Sequence, residues 1–227
     1  MQVQNWMTSD VITVDPETSI VKVSQILKEN KIKRLPVLKD GKLLGMITDE
    51  DVKEASPSMA TTLTAEELYH LLAETKAKDI MKSNPTTIRP DQTVEVAALK
   101  MLEHKVTGIP VITEKGELVG IISQGDVFRV LTSITGIYQG GAQIAFNLED
   151  RAGSIREVAD VIRKYRAKII SILSVIETAD EGYRHVFIRV KEISEQNLQK
   201  MIQELRKKFM LLYVTKDSLK SNSYESI

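Results

Sequence analysis

The apolar positions change their period twice, in the same order, within roughly the first 130 residues. Ile20, Val23 and Leu27 recur at the spacing of a helix face, after Thr18 and Ser19 as capping hydroxyls. Two short apolar runs follow, "RLPVL" and "LLGMIT", around "KDGK", whose Asp-Gly pair predicts a tight hairpin. Val94, Ala97 and Met101 repeat the helical spacing after Thr93, and "GIPVI", "TEKGE" and "LVGIIS" repeat the hairpin. Short β-favouring pieces, "VITV" and "TTI", precede the two helices, each ending at or near a proline that stops strand pairing. A further helix is predicted after each hairpin. Strands so uniformly apolar call for helices over both faces.

The two patterns are copies. An offset of 74 residues pairs Met7 with Met81, Ser9 with Ser83, Thr13 with Thr87, Pro16 with Pro90, Lys31 with Lys105 and Pro36 with Pro110. One inserted residue in the second hairpin makes the offset 75, which pairs Gly45 with Gly120 and Asp51-Val52 with Asp126-Val127. Such an ordered series is a duplicated module. One copy is marginal alone, and two packed together share a core.

These patterns divide the chain into a first repeat (1–56), a linker loop and helix (57–77), a second repeat (78–134) and a glycine-bearing hinge (135–141). A third unit (142–216) and a polar tail (217–227) complete it. In the linker, Thr64 with Glu67 fits a capping box opening a helix to about Lys76, with Leu68, Leu71 and Leu72 facing the core. The third unit reads strand, helix (Ile155, Val158, Ala159, Ile162), two strands, helix and strand, the ferredoxin-like plan. The expected fold class is therefore α/β (α+β): two β-α-β-β-α modules, then a βαββαβ domain.

Composition narrows the function. Thirty-one basic and 31 acidic residues balance, and aromatics make up 5%, which speaks against a nucleic-acid partner. Cysteine is absent, and no apolar run reaches the ~18–20 residues of a membrane span. The first residues lack the basic and apolar regions of a signal peptide, so a cytoplasmic protein without membrane partners is expected. His70, His104 and His185 lack ligand spacing, so no metal is expected. No nucleophile elbow, P-loop or dinucleotide fingerprint occurs, and no catalytic residue is assigned.

The chemistry-bearing pattern is Gly45/Thr48/Asp51, repeated as Gly120/Ser123/Asp126. Its plain reading is a capping box, with the hydroxyl at the N-cap and the carboxylate at N3. Its functional reading uses the same geometry. The helix N-terminus and hydroxyl suit a phosphate, the aspartate suits a ribose diol, and the glycine gives a ligand access to the strand.

The repeat resembles a tandem pair of CBS domains, a Bateman module, whose ligand motif is similar to Gly-x-x-[Thr/Ser]-x-x-Asp. The resemblance covers about residues 1–134 and implies adenine-nucleotide binding, with no obligatory cofactor. It implies that the base lies between Thr13–Val14 and Lys33–Pro36 (including Arg34 and Pro36) in one site. In the other it lies between Thr87–Ile88 and Thr107–Pro110 (including Gly108 and Pro110). Asp49 and Glu50 make the first site acidic, offset by Lys31, Lys33 and Arg34. The second has neutral Gln124 and Gly125, with Arg129 one turn past Asp126, so it is expected to bind an adenosine phosphate more tightly.

The third unit is similar to an ACT domain. Asp150, Ala152, Gly153 and Ile155 match that family's Asp-x-[Pro/Ala]-Gly-x-[Leu/Ile] turn, which implies an amino-acid effector; a plain Asp-capped turn explains them equally well. The whole arrangement looks most like AcuB-type acetoin utilization proteins. Together these readings give a non-enzymatic homodimeric sensor of AMP, ADP, ATP or a similar nucleotide. It would act on a regulated protein, and the AcuB resemblance implies acetoin or related carbon metabolism. The alternative is a structural adaptor whose motifs are only caps.

Overall fold

The computed structural model describes residues 1–55, 64 and 72–216, in two compact units that meet in sequence between Phe128 and Arg129. In the first, helix α1 (Ile20–Glu29) is capped by Ser19, whose Oγ accepts from the Lys22 N–H at 3.4 Å. Strands β1 (Arg34–Lys39) and β2 (Lys42–Thr48) form the predicted hairpin. Asp40 and Gly41 have φ of 51° and 74°, the positive pair that a two-residue turn matched to strand twist requires. Helix α2 (Asp49–Glu54) follows at once.

The second copy repeats this with α4 (Val94–Glu103), capped by Thr93, then β4 (Gly108–Ile112), β5 (Leu118–Ser123) and α5 (Gln124–Thr135). Between the copies lie α3 (Ala77–Ile80) and the two-residue strand β3 (Lys82–Ser83). The linker helix expected from Thr64 lies mostly outside the described residues. Of it, 72–74 are helical, and Lys76 instead forms a bridge with Ser19.

The "VITV" and "TTI" pieces contribute single parallel bridges rather than full strands, Val14 to Val37 and Ile88 to Val111. The Val14 and Ile88 N–H groups donate to the carbonyls of Pro36 and Pro110 at 3.0 and 3.1 Å. A strand proline has no N–H to offer, but its carbonyl still serves the ladder. Val14, Val23, Leu27, Leu35, Val37 and Ile47 close one core of this unit.

The copies also exchange their entry segments. Strand β3, which leads into the second copy, pairs with β2 of the first (Gly45 opposite Ser83, Met46 opposite Lys82). Reciprocally, Thr8 of the N-terminal segment bridges Ile121 on β5, and Gln2 bridges Thr93.

The second unit has all six expected elements: β6 (Ala142–Glu149), α6 (Ser154–Lys164), β7 (Ile169–Val175), β8 (Tyr183–Val190), α7 (Glu195–Lys208) and β9 (Met210–Lys216). They make one antiparallel sheet in the order β7-β8-β6-β9, which is the ferredoxin-like topology. Ile144, Phe146, Leu148, Val186, Ile188 and Val190 alternate onto the helix-covered face, against Val158, Ile162, Leu198, Met201 and Leu205. Phe146 meets Phe209 edge-to-face, with centroids 6.3 Å apart.

Candidate functional site

Both motifs form complete caps. Thr48 Oγ1 accepts from the Asp51 N–H (3.2 Å), while Asp51 Oδ2 accepts from the Thr48 N–H (2.7 Å) and hydroxyl (2.6 Å). Ser123 and Asp126 repeat this at 3.3, 2.8 and 2.6 Å. Three acidic residues opening a helix, Asp49, Glu50 and Asp51, would be expected to face solvent, but Asp51 is only 6% exposed, and Asp126 9%. The cap turns each aspartate back over the strand end, which buries it. Asp49 pairs instead with Lys53 at 2.6 Å, one helical turn on.

The first helical N–H groups are largely engaged as well. Those of Asp49 and Gln124 each donate at 3.0 Å, to the carbonyls of Lys33 and Thr107. In α5 the Gly125 N–H lies between the two that Thr107 and Ser123 take up.

The glycines serve a purpose other than the expected one. A Cβ on Gly45 would lie 2.7 Å from Met81 Sδ and 2.9 Å from the Lys82 carbonyl oxygen. One on Gly120 would overlap Met7 Sδ and sit 3.0 Å from the Thr8 carbonyl oxygen. What approaches these strand positions is the exchanged entry segment of the other copy, so the space belongs to the chain and not to a ligand.

Two cavities flank the motifs, and each mixes the copies. The one at Ser123, Gln124, Gly125 and Asp126 has a volume of about 570 Å³. It is lined by Thr8, Asp10, Val11 and Ile12 of the N-terminal segment, by Lys31–Arg34 of the first copy, and by Glu50, Thr107 and Ile121. The one at Thr48, Asp49 and Glu50, about 410 Å³, is lined by Lys82, Pro85 and Thr86, by Lys105–Gly108 of the second copy, and by Lys33, Arg34, Met46 and Lys53.

Each motif thus faces the other copy's entry and pre-strand segments, where the sequence-based expectation pairs it with its own. Val14 and Ile88 are core residues bridging to β1 and β4, with Thr13 and Thr87 half-buried beside them, and Pro36 and Pro110 supply the carbonyls of those bridges. Arg34 and Gly108 line the cavities, while Arg129 lies further along α5, at the start of the second unit. Thr8, Asp10, Lys82, Pro85 and Thr86 are cavity residues that the motif search passes over. Their signal is the Met7–Met81 identity, which extends the repeat upstream of both modules.

The two carboxylates sit in different fields. Lys82 Nζ lies 2.9 Å from Asp51 Oδ1. Burial alone would raise the Asp51 carboxyl, but hydrogen bonds from Thr48 and Lys82 outweigh it and hold it below its usual range. At Asp126 the repeat places Thr8 where Lys82 stands, and the Asp126 charge acts on the Arg34 guanidinium.

In the second unit, Asp150 Oδ1 accepts from Arg184 Nε at 2.8 Å and forms an ion pair with that guanidinium. Gly153 takes φ of 91° as the N-cap of α6, Ala152 is exposed, and Ile155 packs on the core. A cavity of about 490 Å³ sits at the opposite end of the sheet, lined among others by Tyr138, Ala142, Val190, Glu195 and Lys216, and includes none of these four.

A CBS-domain profile matches residues 3–58 and 77–133, the two halves of the duplicated unit. A CBS domain-containing protein of Dictyostelium discoideum is 34% identical over 133 residues, 58% of this chain and 92% of that protein. The chain belongs to the CBS-domain family. Its CBS pair is also similar to part of larger proteins. Inosine-5'-monophosphate dehydrogenase of Korarchaeum cryptofilum is 35% identical over 125 residues, which is 55% of this chain but only 23% of that enzyme. Among solved structures, CBSX2 in complex with AMP has a TM-score of 0.50 and 29% identity, covering 59% of this chain and 98% of that one. AcuB from Vibrio cholerae, assigned to acetoin utilization, has a TM-score of 0.50 at 22% identity over 60% of this chain and 94% of its own, a likeness of fold alone. Among the described residues no cluster could hold a metal ion, and no helix is long and apolar enough to cross a membrane.

Proposed function

We propose that the CBS pair is a non-catalytic regulatory sensor of an adenosine phosphate, with the Ser123/Asp126 cavity as its stronger site. The observation that carries this is the cavity of about 570 Å³ at Ser123, Gln124, Gly125 and Asp126, against about 410 Å³ at Thr48. Between hydroxyl and aspartate the second motif has neutral Gln124 and Gly125, where the first has Asp49 and Glu50, which repel a phosphate. A buried carboxylate beside a cavity of about 570 Å³ is suited to accept from a ribose diol. The AMP complex of CBSX2 supports the ligand class. Ligand acts by shifting populations, which requires differential affinity for two arrangements of the protein.

Calorimetric titration of the full chain with AMP, ADP, ATP and S-adenosylmethionine tests this. Asp126→Ala is expected to remove the stronger step and Asp51→Ala to leave it. An intact strong step in Asp126→Ala overturns the assignment. A specific observation favours the rival adaptor: each motif hydroxyl donates to its own aspartate, as a plain cap does. Ligand at about 100 Kd stabilises a sensor by about 2.7 kcal/mol, whereas an adaptor shows no shift with any of the four.

For the second unit we propose an ACT-type effector role, supported by its strand order and by the turn at Asp150–Ile155. An amino-acid ammonium there would compete with Arg184 for Asp150. Exposed Leu99, Leu102 and Phe128 support a homodimer. The acetoin assignment rests on a likeness of fold, which carries no pathway.

A further inference from the structure

The two cavities share a wall made of Lys33, Arg34, Glu50 and Thr107, all four of which line both. Arg34 is the unusual member. Its Nη2 donates to Thr107 Oγ1 at 2.7 Å, across from one copy to the other. Its Nη1 is buried and has no hydrogen-bond partner in this structure. A buried guanidinium N–H without an acceptor is costly, so what the wall lacks is an acceptor, best an anionic one. Burial lowers the guanidinium's pKa while the charge of Asp126 opposes this, consistent with a cation in a poorly solvated place.

The duplication cannot supply a second such group. The repeat matches Arg34 with Gly108, and a Cβ on Gly108 would overlap the Arg34 guanidinium itself. One arginine therefore occupies the space of both symmetry-related positions. Lys33, the other cation of the wall, is exposed and screened by solvent.

We propose that this single guanidinium couples the two cavities. An adenosine phosphate in one takes the Arg34 N–H and so weakens binding of a second in the other, making the CBS pair respond to one anionic ligand at a time. This rests on the adenosine-phosphate reading above and adds negative coupling carried by the ligand's charge. Neutral adenosine, which offers Arg34 no anion, is uncoupled.

The test is calorimetric titration of the full chain with AMP and with adenosine, in wild type, Asp126→Ala, Arg34→Met and the double variant. Vacating the Asp126 cavity leaves Arg34 to the other. Asp126→Ala is then expected to bind one AMP about tenfold more tightly than the weak second step of wild type. The gain is expected to vanish in the Arg34→Met background and to be absent for adenosine. Should Asp126→Ala fold poorly, Asp126→Asn, which keeps acceptors for the cap, replaces it. An AMP affinity in Asp126→Ala equal to the second wild-type step, or no AMP binding there at concentrations that saturate wild type, overturns the coupling. So does a gain that persists with Arg34→Met. Absence of any AMP binding to wild type is a different failure, since it removes the adenosine-phosphate reading on which the coupling rests.

Discussion

Lys82 Nζ lies 2.9 Å from Asp51 Oδ1, an ion pair between a side chain that is 71% exposed and one that is 5% exposed. The partners contribute unequally. Lys82→Ala removes a screened charge and leaves Asp51 its two bonds from Thr48, so a loss below about 1 kcal/mol is expected. Asp51→Ala removes the reciprocal half of the α2 cap and strands the Thr48 N–H, for about 1–2 kcal/mol. Urea unfolding of both variants checks the order, and equal losses would show that the ammonium, not the cap, holds this corner.

The same carboxyl has a pH signature. Burial pushes it up, but the Thr48 and Lys82 hydrogen bonds prevail, so its folded pKa is depressed. A depressed acid contributes stability that is fully present above the unfolded value of about 3.9 and is lost as pH falls through the folded one. Wild type is therefore expected to lose stability on acidification below about pH 4 more steeply than Asp51→Asn. Lys82→Ala is expected to fall between them. Superimposable acid profiles for wild type and Asp51→Asn would refute the linkage.

Gly45 tests the segment exchange. An alanine methyl there meets Met81 Sδ at 2.7 Å and the Lys82 carbonyl oxygen at 2.9 Å, and only the first is a flexible side chain that can yield. Gly45→Ala is expected to cost about 1–3 kcal/mol as overpacking. Adding Met81→Ala frees the sulfur's space but not the carbonyl's, so the double variant should cost less than the sum of the singles yet remain below wild type. Strict additivity in this cycle would mean that β3 does not lie over β2.

What the sequence conceals follows from the same geometry. Periodicity reports which face of an element is buried, and here it yields the order of elements in both units, with the caps at Ser19 and Thr93 and the Asp40-Gly41 turn. It carries no record of which copy an extended segment pairs with. A two-residue strand such as Lys82–Ser83 is too short to show a period, and Thr8 contributes only one bridge. The motif residues were legible and their cavity partners were not, because those partners come from the other copy. The glycines were legible as places of close approach, but the approaching group is Met7 or Met81.

The two units have separate cores, which sets up a domain-selective lesion. Phe146 is fully buried among residues of the second unit, edge-to-face with Phe209, while the described first-unit cluster around Val23, Leu35 and Ile47 is built from other residues. Phe146→Ala is expected to destabilise the second unit by about 3–5 kcal/mol through lost contacts and a residual cavity. AMP affinity, which belongs to the CBS pair in the proposed function, should change by no more than about twofold, as for sites that share no packing partners. Urea unfolding followed by AMP-dependent protection and by far-UV circular dichroism should then separate, with a new low-urea phase in dichroism alone. One shared transition for both probes, shifted together, would mean that the cores are coupled and that the ferredoxin-like unit is part of the sensor's own folding unit.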